Sequence, residues 1–229
     1  MSEESPDRTV IGPHAGQPVL RAGRLVDADR ALILVHGRYA TAQSMLPLVD
    51  VLKLDGWLTV APQADGGTWY PESFLAPIEQ NEPYLSSALD LLDAVVESII
   101  EESIDPAAIA LLGFSQGACL ALEYAARSSR RLGGVVGLSG GLIGPPGTQF
   151  DYAGGRDSLR VFLGCSDVDP HIPVERVRET ERVFRSLGAD VTAEIYTGMG
   201  HTIVAAELEQ TGRLLASIGS ARTQGKDPL

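Results

Sequence analysis

What this 229-residue chain has little of narrows it first. It holds two cysteines, Cys119 and Cys165, without metal-site spacing and too few for a disulfide framework, so buried free thiols are expected. It holds two lysines, Lys53 and Lys226, against 30 acidic residues, and its formal charge is −12. No basic cluster offsets that charge, so nucleic acid and anionic membrane surfaces are not expected partners. The shortage of lysine beside abundant arginine and acid fits either a high-salt organism or a compositional bias. No apolar run approaches the ~18 residues that would suggest a transmembrane helix, and no integral membrane association is expected. The opening MSEESPDRTV is acidic and lacks the apolar core of a secretory signal, so a cytoplasmic location is the expectation. Internal repeats and low-complexity tracts are also missing.

What is present is a globular composition, 44% hydrophobic and 21% charged, in a length that one α/β domain fills. Short apolar runs of strand length occur at 31–35, 57–61, 108–114, 133–139, 159–164 and 192–197, and such runs suit strands buried on both faces. Between 85 and 101 the pattern changes period. Leu85, Ala88, Leu89, Leu92, Val95, Val96 and Ile99 form one stripe and Asp90, Asp93, Glu97 and Glu101 the opposite one, the mark of an amphipathic helix. Further helices are expected near 42–53, 116–128, 174–187 and 202–217. Alternating strands and helices imply a single α/β domain: a mostly parallel sheet with helices on both faces. Its expected extent is 17–218, with residues 1–16 a flexible arm and 219–229 a flexible tail. The stretch 62–83, rich in Pro, Gly and aromatics, follows neither period and is either a surface excursion pinned by its aromatics or the lining of a binding site.

The run LLGFSQGA (111–118) sets Ser115 between Gly113 and Gly117, where an apolar strand gives way to a helix. A turn that tight lifts the serine hydroxyl above the sheet, and the backbone N–H of Gln116, at the positive end of the next helix, points where an oxyanion would form. A serine hydroxyl needs a general base. Of four histidines, His14 lies in the arm beside Pro13 and is expected to be solvated; His36 closes the 31–35 strand near the same end of the sheet; His171 is too close to the acids of GCSDVDPHIP to bridge from them. His201 follows the last strand, with Gly198 and Gly200 freeing the backbone, and is the expected base. The carboxylate that would orient it is Asp167 or Asp169. The order Ser, Asp, His along the chain is that of α/β-hydrolases. The glycine-rich 137–147 lacks the Lys-Ser/Thr ending of a phosphate-binding loop and is expected near the mouth of the site.

The blocks LVHGR, APQADGGTWYP, LLGFSQGA, GCSDVDPHIP and GMGH, in this order over roughly residues 18–218, resemble the phospholipase/carboxylesterase family of α/β-hydrolases, which includes acyl-protein thioesterases and small bacterial carboxylesterases. The resemblance implies Ser115 as nucleophile, His201 as base, Asp169 (of the Asp-Pro-x-x-Pro pattern) as acid, and an oxyanion hole from the N–H groups of Arg38 and Gln116. It implies Trp69, Tyr70 and Phe74 as an apolar wall facing substrate. Many relatives read His-Gly-x-Gly-Asp where this chain has His36-Gly37-Arg38-Tyr39-Ala40, a departure at the acyl pocket. The expected partner is a small-molecule ester or acyl substrate, with no metal and no cofactor; a homodimer is an open option. The competing functions are a dienelactone-type hydrolase, a family that typically carries Cys where this chain has Ser115, and a noncatalytic binding protein on the same fold.

Overall fold

The computed structural model describes residues 10–23 and 28–219. Seven strands form one sheet in the order β1-β3-β2-β4-β5-β6-β7: β1 Val19–Ala22, β2 Arg30–Val35, β3 Trp57–Pro62, β4 Ile109–Phe114, β5 Gly134–Leu138, β6 Arg160–Ser166 and β7 Asp190–Tyr196. All neighbours pair in parallel except β1, which runs antiparallel to β3 at the edge. The six apolar runs are six of these strands. The four residues of β1, VLRA, are too short and too mixed to announce themselves.

Successive side chains of a strand point to opposite faces, and here both faces are dry. On β2, Ala31, Ile33 and Val35 join one core while Leu32 and Leu34 join the other; on β4, Ile109 and Leu111 part from Ala110 and Leu112 in the same way. The first core is covered by α3 Tyr84–Glu101, α4 Gln116–Arg127 and α5 Val174–Ser186, the second by α1 Ala42–Met45 and α6 Ala205–Ser217. The single helix expected near 42–53 is broken: Pro47, with no N–H to donate, starts the separate helix α2 Pro47–Val51. In α3 the expected stripe is the buried one, with Leu89 partly buried and Leu91 added to it, while Asp90 and Glu101 face solvent.

The chain passes from β2 to β3 on one side and then to β4 on the other. Such a reversal opens a crevice at the carboxyl ends of the two strands that flank it, β2 and β4. His36 follows one and Ser115 the other. Within the expected arm, Val10 lies against the core and His14 is fully buried, while Ile11 stands in solvent. Residues 1–9 and nearly all of the expected tail lie outside the described residues.

Candidate active site

Ser115 stands at φ 57, ψ −121, a strained conformation between β4 and α4. The turn closes only without side chains on its flanks. A β-carbon on Gly113 would come within 2.2 Å of Gly117 O, and one on Gly117 within 2.2 Å of Val35 O. The serine N–H is bonded to Leu138 O of β5 at 2.9 Å, so the elbow is held from the neighbouring strand. Its hydroxyl meets His201 Nε2 at 2.9 Å, and His201 Nδ1 meets Asp169 Oδ2 at 2.7 Å.

Of the two candidate acids, then, the fold brings Asp169 to the imidazole. Its side chain is fully buried, and Oδ1 accepts the N–H groups of His171 (2.8 Å) and Ile172 (3.1 Å). Burial alone would raise this carboxyl, but the hydrogen bonds from His201 and from the two backbone N–H groups outweigh it and hold the group below its ordinary 3.8. Asp167 Oδ1 instead accepts Gly198 N–H at 2.8 Å, and Ser166 Oγ accepts Gly200 N–H at 3.1 Å. Both residues at the end of β6 thus fasten the turn that carries His201. Phe114 and His171 flank its ring, with centroids 5.0 and 4.8 Å away. Among the described residues, the N–H groups of Arg38 and Gln116 have no acceptor.

The serine opens into a cleft of about 580 Å³ lined by Arg38, Tyr39, Tyr70, Phe74, Cys119, His171 and Ile172, among others. Tyr70 and Phe74 therefore line it as expected. Trp69 does not: it is fully buried, donates its indole N–H to His36 O at 2.7 Å, and stacks obliquely on the His36 ring. An indole N–H sealed from water needs an acceptor, and His36, which supplies it, does not line the cleft. The glycine-rich 137–147 is also displaced from its expected place, since none of it lines the cleft; most of it is buried around Arg176, which donates to Leu142 O and Gly144 O at 2.7 and 2.8 Å.

The irregular stretch 62–83 owes its shape to polar side chains that satisfy its backbone. Gln116 Oε1 accepts Trp69 N–H at 3.0 Å and its Nε2 donates to Tyr70 O at 2.7 Å. The Arg38 guanidinium reaches Tyr70 O at 3.1 Å and also bonds the carbonyls of Pro71 and Glu72. His14 is not solvated: its Nε2 donates to Trp69 O at 3.0 Å and its Nδ1 accepts Asp65 N–H at 3.1 Å. His36 likewise donates from Nδ1 to Gly37 O (2.8 Å) and accepts Ala64 N–H at Nε2 (3.1 Å), so neither of its nitrogens faces a substrate. Burial lowers both histidines and keeps them neutral, as these donor–acceptor roles require.

A model of the phospholipase/carboxylesterase family matches residues 26–217. The chain belongs to that family. A phospholipase/carboxylesterase from Dyadobacter fermentans is 38% identical, with a TM-score of 0.85 over 90% of this chain and 99% of that one. Esterase PE8 is 25% identical at a TM-score of 0.70, over 89% and 98%. Acyl-protein thioesterase 1 of Gibberella zeae is 33% identical over 124 residues, 53% of this chain and 52% of that protein; its Saccharomyces cerevisiae counterpart is 31% identical over 126 residues, 54% and 55%. The chain thus aligns with about half the length of the curated relatives it matches. The α/β-hydrolase fold follows from the family and from the sheet order together. Among the described residues, no helix is long and apolar enough to cross a membrane.

Two buried acids of this family member lie outside the relay. Glu123 of α4, 1% exposed, accepts Arg127 Nε, Ile143 N–H and the Tyr152 hydroxyl. In the sequence it is the one acid in the otherwise apolar GACLALEYAA. Glu207, fully buried on α6, accepts Val204 N–H at 3.0 Å through one oxygen, while the other presses against Gly164 without a partner among the described residues. Burial, with the charge of Asp169 adding to it, pushes this carboxyl up to about 7. Cys119 and Cys165 are free, buried, and pushed by burial to about 12, so neither is a thiolate nucleophile at neutral pH.

Proposed function

We propose that the chain hydrolyses carboxylic esters or thioesters through an acyl-enzyme on Ser115. The observation that carries this is the relay Ser115 Oγ to His201 Nε2 to Asp169 Oδ2, at 2.9 and 2.7 Å. Neutral His201 takes the hydroxyl proton as Oγ bonds to the carbonyl carbon, and the C=O electron pair moves onto oxygen. The N–H groups of Arg38 and Gln116 stabilise that oxyanion, the latter at the positive end of α4. The pair returns as the bond to the leaving alcohol or thiol breaks, and His201 protonates the departing group. Water then attacks the acyl-enzyme by the same path, freeing the acid and restoring Ser115. Asp169 holds the imidazole in the tautomer with its proton on Nδ1 and stabilises the imidazolium that forms. No step calls for a metal or cofactor. The names of the similar proteins, carboxylesterases and acyl-protein thioesterases, support an acyl substrate.

Labelling with a fluorophosphonate probe, with a panel of chromogenic esters, thioesters and lysophospholipids, tests the proposal. Ser115→Ala should abolish labelling and lower turnover by ~10³-fold or more, with the thermal transition of the folded protein retained. Undiminished turnover by a folded Ser115→Ala variant would remove the mechanism.

A further inference from the structure

Four large apolar side chains among the described residues stand well out in solvent, Ile11, Tyr39, Val51 and Val168, and of these Tyr39 also lines the cleft. Its backbone is as unusual as its exposure. Gly37 to Ala40 form a turn closed by Ala40 N–H to Gly37 O at 3.1 Å, and Tyr39 is its third residue at φ 60. A turn with positive φ at that position calls for Gly or Asn, because a β-carbon there crowds the chain. The conformation is imposed from outside the turn as well, since Tyr39 N–H donates to Gly67 O at 2.7 Å.

Fold stability does not account for that choice. The ring is 78% exposed, so it recovers little from burial, and the strain of its backbone remains. Within the chain the ring meets the Arg38 guanidinium, 6.0 Å from its centroid, yet most of the ring stays in water beside a reactive cleft, which leaves it open to a partner outside the chain. The same cleft is also lined by His171, Ile172 and Phe74, so two further rings and an apolar side chain belong to its walls. A ring entering it stacks on Tyr39 with no loss of internal freedom, whereas an alkyl chain loses rotamers for a one-sided contact.

We propose that Tyr39 is a specificity-determining residue that receives a planar aromatic group of the ester, making aromatic esters the preferred substrates. The inference rests on the hydrolase reading above. It is tested with pairs of esters alike in size and leaving group but different in planarity. Benzyl acetate against cyclohexylmethyl acetate probes the alcohol side; ethyl phenylacetate against ethyl cyclohexylacetate probes the acyl side. Tyr39→Asn keeps a residue that tolerates positive φ, Tyr39→Gly removes strain and ring together, and Tyr39→Phe keeps the ring. In one of the two pairs, the Asn and Gly variants should raise KM for the aromatic member by roughly three- to tenfold and for its cyclohexyl twin by less than about twofold, with Phe matching the parent. The pair that responds identifies the side of the ester that Tyr39 holds. The unfolding temperature of Tyr39→Gly should not fall below that of the parent, which separates loss of contact from loss of fold. Equal shifts, or none, in both members of both pairs would overturn the proposal while Ser115-dependent turnover stood. If the parent shows no Ser115-dependent turnover on any ester, the hydrolase reading fails, and this inference with it.

Discussion

Asp167 and Asp169 stand two residues apart on one loop, yet the structure gives them different work. Asp169 is sealed under His201, while Asp167 is spent on the Gly198 turn. Replacing either by Asn keeps the shape and removes the charge. Asp169→Asn should cut kcat by about 10⁴, because the amide favours the wrong imidazole tautomer and leaves imidazolium without a counter-charge. Asp167→Asn keeps an oxygen for Gly198 N–H and should cost far less. Steady-state kinetics of the two folded variants checks the ranking, and the reverse order would move the acid to Asp167. Much of the site at this scale was legible: Ser115 from its glycines, His201 from its place after the last strand, Asp169 once the family pattern was added. Trp69 and His14 were not. A sequence shows that a tryptophan lies in a loop, but whether its N–H finds an acceptor under that loop depends on a chain segment 33 residues away.

Elements meet at the elbow, where β4, α4 and the end of β2 approach too closely for any side chain. Gly117→Ala would set a methyl carbon 2.2 Å from Val35 O and 2.4 Å from His36 O, both backbone atoms that cannot swing aside. The expected cost is about 1–3 kcal/mol of stability, with loss of activity as Ser115 shifts. Gly212, inside α6, has nothing within 4 Å of the place its β-carbon would take and no positive φ. Gly212→Ala should therefore stabilise by roughly 0.5–1 kcal/mol through the unfolded chain's lost freedom, with activity unchanged. Thermal unfolding of the two variants measures both; a destabilised Gly212→Ala would contradict the open space. The strands and the helices α3 to α6 were readable because both cores demand apolar residues at regular spacing. The short β1 and the break at Pro47 were less so, since four mixed residues carry no period and a proline can open a helix as readily as end one.

For the whole molecule, buried ionisable groups set how stability follows pH. Glu207 ionises near 4.5 when unfolded but only at about 7 when folded, so between those values the folded chain holds a proton that the unfolded chain has lost. Its contribution is complete below 4.5 and is lost as pH rises toward 7. His14 and His36 work in the opposite sense. Their folded values lie below the ordinary 6.5, so the stability they contribute is present above 6.5 and lost as pH falls. Glu207→Gln removes the first effect and leaves the second. Its unfolding temperature should climb with pH from 5 to 7 more steeply than that of the parent, as scanning calorimetry would record; parallel curves would mean that Glu207 is charged in the fold. None of these three groups declared itself in the sequence, because burial is a property of what packs around a residue.

By itself the sequence determined the alternation of strands and helices, the strained serine turn and the chain order of the candidate relay, because these rest on spacing within short segments and on steric limits that glycine alone relieves. The tertiary structure decided which aspartate reaches His201, where Trp69 points, that His14 and His36 brace a loop, and that Tyr39 stands at the mouth of the cleft. Each of these depends on atoms far apart along the chain being brought within hydrogen-bond or contact distance, and on water being excluded once they are there.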